Sequence, residues 1–395
     1  MILVVNSGSS SIKFKLFAIK KNVPIAILDG LAERIGVDGF LKIEFNGEKH
    51  QFNQKMSNHN EAIQFILKQF EELKVIKDKK DIAAVGFRIV HGGKITEPVV
   101  IDKKVFKEIE ACVKLAPLHN PGALVAIEAF KIEMPKVKLI ASFDTSFHQT
   151  MDEETFLYSV PYEWYKKYQV RKFGFHGISY KYITEKYAKM IKKPVGKLNL
   201  IICHLGSGAS VACVKNGKSI DTTMGFTPLA GLMMGTRSGD IDPSIIQYMV
   251  KALNKDVFEI TSILNKESGL KGFSEISSDM REIIAEVEKG NKHAVLTLNK
   301  YSQNVADFIV KYANRLEGKI DALIFTAGIG ENSDTVRKEI INRVNILGLK
   351  LNPKENIKRY DDFLKISNKD SKFDIYAIKT NEELMICQET MDLTS

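Results

Sequence analysis

Alternating and helical hydrophobic spacings succeed each other along the chain in an informative order. Residues 1–17 open with the run Ile2-Leu3-Val4-Val5 and break at Asn6-Ser7-Gly8-Ser9-Ser10-Ser11. They resume as the alternating Ile12-Lys13-Phe14-Lys15-Leu16-Phe17. That pattern predicts two strands joined by a turn of small residues. About two hundred residues later the design returns. Residues 198–203 read as a strand, His204-Leu205-Gly206-Ser207-Gly208-Ala209-Ser210 as a turn, and 211–214 as the next strand. Asn216-Gly217 then favours positive φ at both centres of a tight hairpin. Two copies of one strand–turn–strand unit suggest two related α/β domains; the alternative is a coincidence of short hairpins.

Apolar strands at 82–90 and 137–143 run into His91-Gly92-Gly93 and Asp144-Thr145-Ser146. Spacings of three and four predict helices over 61–73, 180–190, 244–253, 278–288 and 293–316. Farther on, Ala322-Leu323-Ile324-Phe325 leads through Thr326-Ala327-Gly328-Ile329-Gly330 into a helix from about 332 to 344. Residues 373–378 lead through Thr380-Asn381 into a helix starting near Glu382. Ligands of open α/β sheets collect at the carboxyl ends of strands, where most of these polar motifs lie.

Composition narrows the picture. A chain of 395 residues, 44% hydrophobic and 27% charged, is too long for one ordinary core. No apolar run is long enough to span a membrane, and the start carries no basic leader, so the expectation is a cytoplasmic protein without a membrane partner. The net charge of +9 comes from scattered lysines, with only nine arginines among 57 basic residues. This favours general solubility over a nucleic-acid footprint, which would draw on clustered arginine. The four cysteines form no C-x-x-C pair and read as reduced, mostly buried thiols.

The two glycine/serine turns could cradle phosphate, because small residues let backbone N–H groups approach an anion. Lys13 follows the first turn directly; a plain hairpin is the alternative there. The lysine-containing P-loop and the protein-kinase signatures are absent, and Gly328-Ile329-Gly330-Glu331-Asn332-Ser333 does not complete G-x-G-x-x-G. Arg88 beside His91-Gly92-Gly93 and Arg237 within Met234-Gly235-Thr236-Arg237-Ser238-Gly239-Asp240 suit carboxylate or phosphate. His119, His148, His176 and His204 in polar loops suggest donors around an anion, without zinc spacing. Thr380 and Glu383 read as a capping box, which leaves Glu382 free for a magnesium shell. Phosphoryl transfer is the reaction class that needs such a set.

In its ordered blocks the sequence resembles the acetate kinases, the acetokinase family of the acetate and sugar kinase/Hsp70/actin superfamily, from end to end. The blocks are Asn6 to Lys13, Arg88 to Gly93, Asp144 to His148, Phe173-Gly174-Phe175-His176-Gly177, His204 to Ser210, Met234 to Asp240, Ser278 to Arg281, Gly328 to Asn332 and Thr380 to Glu383. The resemblance implies two duplicated actin/hexokinase-like (ribonuclease H-like) α/β domains with a central cleft, 1–149 plus 382–395 and 150–381. It implies Mg²⁺-dependent, reversible transfer from ATP to acetate, giving ADP and acetyl phosphate, with Mn²⁺ able to replace Mg²⁺, in a homodimer. Asn6 and Glu382 would serve the metal, and Lys13 the nucleotide phosphates. His204, Leu205, Gly206, Ser207 and Gly208 would contact phosphate. Asp279, Met280, Arg281, Gly328, Ile329, Gly330, Glu331 and Asn332 would contact the nucleotide. Arg88 would hold the carboxylate, with Val90, Leu118, Phe175 and Pro228 around the methyl group. Asp144 would be the proton donor/acceptor, and His176 and Arg237 would stabilise the transition state. Because acetate is already ionised at pH 7, orientation or contact with metal-bound water is an equally apt role for Asp144. Ser207 stands where the family commonly has asparagine, and Gly328-Ile329 fits an adenosine pocket rather than a pyrophosphate user. The rival readings are a propionate kinase, a sugar kinase or a non-catalytic ATP-binding protein of the superfamily.

Overall fold

The structure, a computed structural model, describes residues 1–117 and 119–394. The chain forms two compact units: Met1–Phe147 together with Asn381–Ser395, and His148–Thr380. The first unit is built on eight strands: β1 (Ile2–Ser7), β2 (Ile12–Lys20), β3 (Val23–Glu33), β4 (Phe40–Phe45), β5 (Glu48–Asn53), β6 (Ala84–Ile89), β7 (Val99–Val100) and β8 (Lys138–Phe143). The second has six: β9 (Leu200–Leu205), β10 (Ala209–Lys215), β11 (Lys218–Thr222), β12 (Ala322–Thr326), β13 (Phe363–Lys365) and β14 (Asp374–Ile378).

The sheets are ordered β5-β4-β3-β2-β1-β6-β8-β7 and β11-β10-β9-β12-β14-β13. From β3 onward they repeat one plan. An antiparallel run (β3-β2-β1, β11-β10-β9) meets two parallel strands (β6-β8, β12-β14), closed by a short antiparallel edge (β7, β13). The two strand–turn–strand units are therefore equivalent elements of a duplicated α/β fold. β9 is buried at all six positions between β10 and β12, which is why it reads as a nearly continuous apolar run. Asn216 and Gly217 take φ of 52° and 73° and close the β10–β11 hairpin.

One expectation changes. The Gly328–Gly330 segment is not a loop: β12 passes directly into the helix Ala327–Asn332, and Ser333 caps a second helix, Asp334–Ile341, through the Val336 N–H. At the end of the helix Lys292–Arg315, the Arg315 guanidinium reaches buried Asp221 at 3.0 Å and Thr155 Oγ1 at 2.7 Å. Lys172 at 2.7 Å and Lys311 at 3.3 Å face the same carboxylate. In the first unit the helix Glu382–Asp392 packs on β1 and β6, where Gly86 has no side chain and Ile386 and Thr390 fill the space.

Candidate active site

Three segments far apart in sequence line one cavity of about 750 Å³ in the second unit. Gly206 and Ser207 come from the β9–β10 turn, Ser278 to Arg281 from the N-terminus of the helix Met280–Glu288, and Gly328, Ile329 and Asn332 from the helix after β12. Ile284, Ala285, Glu288 and Ser333 to Thr335 complete the wall; sequence reading did not name them. Asp279 caps its helix by accepting from the Arg281 N–H at 2.9 Å and pairs with the exposed Arg281 side chain. That hydrogen-bonded pairing holds the Asp279 carboxyl below its ordinary value. Other expected contacts turn inward. Leu205 is buried in β9 and the Gly330 carbonyl accepts from Arg337. The Glu331 carboxylate binds the Ala327 and Thr380 N–H groups, which ties β12 to the end of β14.

Beside the cavity, the turn meets two catalytic candidates. A Cβ built on Gly208 would stand 3.3 Å from His176 Nε2 and 3.6 Å from Arg237 Nη2, so both donors converge on one point above the turn. The Arg237 loop is fixed to it: the Gly235 N–H donates to Ser207 O at 2.9 Å. Arg237 donates to the Pro228 carbonyl, and among the described residues no carboxylate pairs with it. Burial lowers its guanidinium from the ordinary value, the signature of a cation held without an anion. His176 adopts φ of 60° at the start of the helix Gly177–Ile191 and stacks on His204, ring centroids 4.1 Å apart. Ser210, Ser179 and Tyr180 support these rings. Tyr180 was missed, although its i+4 spacing from His176 on a helix is the signal that would have found it.

His148 is a correction. It is wholly buried, with Nδ1 2.7 Å from Ser219 Oγ and Nε2 2.9 Å from Phe175 O, and burial lowers its pKa to about 4. It is a packing residue, not a donor around an anion.

In the first unit, Arg88 near the end of β6 and Asp144 just after β8 form a two-pronged pair, Nε to Oδ1 at 3.0 Å and Nη2 to Oδ2 at 2.8 Å. Burial pushes the Asp144 carboxyl up against the pull of Arg88. Arg88 keeps its proton: burial opposes the charge, but Asp144 and Glu382 outweigh it. The third Arg88 nitrogen, Nη1, lies 3.4 Å from Glu382 Oε2, while Glu382 Oε1 is buried with no hydrogen-bond partner among the described residues. Asn6 lies near the end of β1. Val90 is half-buried directly after β6, Phe175 and half-buried Pro228 belong to the second unit, and Leu118 lies outside the described residues. His119 precedes the helix Asn120–Glu133 without a side-chain cap bond.

The capping box is also corrected. Asn381, not Thr380, is the cap, accepting from the Leu384 N–H at 3.0 Å; Thr380 instead contacts Ser179 Oγ at 2.7 Å. Glu383 swings to Lys13, 2.5 Å away. Asn381→Ala is therefore expected to lower stability by about 1 kcal/mol. Glu383→Ala should cost less in a thermal melt, because the Lys13 side chain is 50% exposed and water screens the pair.

Comparison with known proteins agrees along the whole length. The model of the acetokinase family matches residues 1–388. An acetate kinase of Mesoplasma florum is 56% identical over 395 residues, covering all of both chains. The crystal structure of Porphyromonas gingivalis acetate kinase superposes with a TM-score of 0.94 at 37% identity, covering 100% of this chain and 99% of that one. A propionate kinase from Francisella tularensis gives 0.93 at 40% identity, covering 99% of each.

Proposed function

The chain belongs to the acetokinase family, and from that membership we propose the division of labour by which it moves a phosphoryl group between ATP and acetate. It is a phosphotransferase with a carboxyl group as acceptor. The observation that carries the residue assignment is the cavity walled by three distant segments, beside the point where His176 and Arg237 converge.

The adenosine part of ATP occupies that cavity, and the phosphates run over Gly206, Ser207 and Gly208. Such transfers need positioning and charge neutralisation more than covalent help. Arg237 and the His176 ring meet the charge that develops on the transferring group, and among the described residues no carboxylate competes for Arg237. In the first unit, Arg88 takes the acetate carboxylate through Nη1, while Nε and Nη2 stay with Asp144. Both Asp144 oxygens already accept from Arg88, so its part is to orient the guanidinium rather than to take a proton. Lys13 serves the phosphates, held in place by Glu383.

Glu382, with one carboxylate oxygen buried and unpartnered among the described residues, and the Asn6 amide fit a hard divalent cation that takes few protein ligands. Magnesium, or manganese in its place, would neutralise phosphate charge there. The protein works as a homodimer in the cytoplasm. Support comes from the helices Ser244–Leu253 and Val257–Lys266, which bury almost nothing within the chain and expose Tyr248 and the 81% exposed Phe258. The four cysteines are free thiols.

A hydroxylamine trap for acyl phosphate, run with acetate, propionate and sugars, tests the reaction. Hydroxamate should form with acetate; ATP consumption with sugars alone would overturn the reading. Propionate should be a poorer substrate by about 1–3 kcal/mol, the worth of one methylene in an apolar pocket. Val90→Ala should narrow that gap in kcat/KM; unchanged ratios would remove Val90 from the acyl site.

Gly328 tests the nucleotide site. It lines the cavity, and a Cβ there would meet nothing within 4 Å. Gly328→Leu should keep the melting temperature, since a helical glycine is replaced by a better helix former. The same change should raise the KM for ATP at least about tenfold, a loss of roughly 1.4 kcal/mol in binding. An unchanged KM would place the nucleotide elsewhere.

A further inference from the structure

Behind His176 lies a chain of hydrogen bonds. His176 Nδ1 stands 2.8 Å from Ser210 Oγ, and Ser210 Oγ stands 2.5 Å from the Tyr180 hydroxyl. Ser210 and Tyr180 are fully buried. Either hydroxyl of the Tyr180–Ser210 pair can be the donor, and either tautomer of His176 suits the Ser210 contact, so the direction of the chain is set at its open end, Nε2. Burial raises the Tyr180 pKa well above its ordinary value, so the phenol keeps its proton. An anionic phosphoryl oxygen over Gly208 needs a proton on Nε2, which leaves Nδ1 to accept from the Ser210 hydroxyl and Ser210 Oγ to accept from the phenol. A neutral imidazole that accepts at one nitrogen carries its proton on the other.

We infer that Tyr180 and Ser210 are positioning residues that hold neutral His176 as its Nε2–H tautomer, so that it meets an anionic phosphoryl oxygen above Gly208 as a hydrogen-bond donor. The inference rests on the role proposed above for His176. The opposite tautomer would present a lone pair to that oxygen. An imidazolium would sit beside the guanidinium of Arg237, since both side chains approach the same point over Gly208, and like charges disfavour it. The relay supplies a donor without a second cation. Stacking on His204, which Ser179 holds at 2.9 Å, keeps the ring from turning over.

The test uses the full chain labelled with ¹⁵N-histidine. Long-range ¹H–¹⁵N correlation spectra at neutral pH report which ring nitrogen carries the proton, and the His176 signals are those missing from His176→Gln. The expected result is a protonated Nε2 and a bare Nδ1. Tyr180→Phe frees the serine oxygen to accept from Nδ1–H. It should give mixed tautomers and lower kcat roughly tenfold, about one oriented hydrogen bond, with little change in either KM. Ser210→Ala should act in the same direction, and Ser210→Thr, which keeps the hydroxyl, should restore both tautomer and kcat. A protonated Nδ1 in the parent protein overturns the relay, as does a Tyr180→Phe spectrum identical to the parent's. Full turnover in His176→Gln, whatever the tautomer, instead overturns the catalytic assignment of His176.

Discussion

Arg237→Ala is expected to lower turnover by roughly 10²–10³ with little change in melting temperature, the usual effect of losing one preorganised electrostatic contact. The side chain donates to one backbone carbonyl and pairs with no carboxylate among the described residues, so its removal strands no buried charge. Its burial is a standing electrostatic cost, which under the proposed role the developing charge of the transferring group would offset. Arg88→Ala should show a different signature. Activity falls, with a raised KM for acetate, and stability falls too, because Asp144 loses both hydrogen bonds while buried. Arg359→Ala is the control, since Arg359 is exposed and makes no ion pair among the described residues. Arg315 cannot serve, being tied to Asp221. Parent-like turnover in Arg237→Ala, with folding intact, would remove Arg237 from the active site.

Asp221→Asn is expected to lower stability by about 3–5 kcal/mol, because it leaves three cations around a buried neutral group. Asp221 is 1% exposed and faces Lys172, Lys311 and Arg315. Burial pushes its carboxyl up, but Lys172 and the other cations outweigh this and hold it below the ordinary value. A carboxyl lowered by folding adds stability that is complete above its unfolded pKa, near 3.9, and is lost as pH falls through the lower folded value. Urea titrations of parent and variant should therefore differ most at neutral pH and converge in the acid range. Curves equally far apart at pH 3 and pH 7 would show that the ion cluster is not the source of the difference.

Local chemistry made the duplicated strand–turn–strand units legible: β-branched runs, glycine and serine turns, and an Asn-Gly pair with both φ positive. Those signals act within a few residues. The helix over 244–253 was equally plain, because its spacing does not depend on partners. What escaped was decided by tertiary competition. Glu383 fits a capping box in sequence, yet a lysine from β2 offers it a stronger partner and Asn381 takes the cap. His148 and His176 both lie in polar segments, and only packing separates the buried ring from the one turned to Gly208. Arg315 finds its counter-ion, Asp221, 94 positions away, beyond the reach of any local pattern. Resemblance, rather than periodicity, assigned roles to the individual site residues.

The return of residues 381–392 to the first unit has a consequence for how the protein is made. The helix Glu382–Asp392 covers β1 and β6 and brings Glu382 to Arg88 and Glu383 to Lys13. The ribosome delivers it only after all of His148–Thr380 has been synthesised, which takes on the order of ten to fifty seconds at about 5–20 residues per second. Throughout that interval the nascent first sheet carries a bare apolar flank, whereas the second unit, continuous in sequence, has its last strand as the interval ends. Maturation is thus inverted with respect to translation: the unit begun first is finished second, and a holdase chaperone would find its binding surface on β1 and β6.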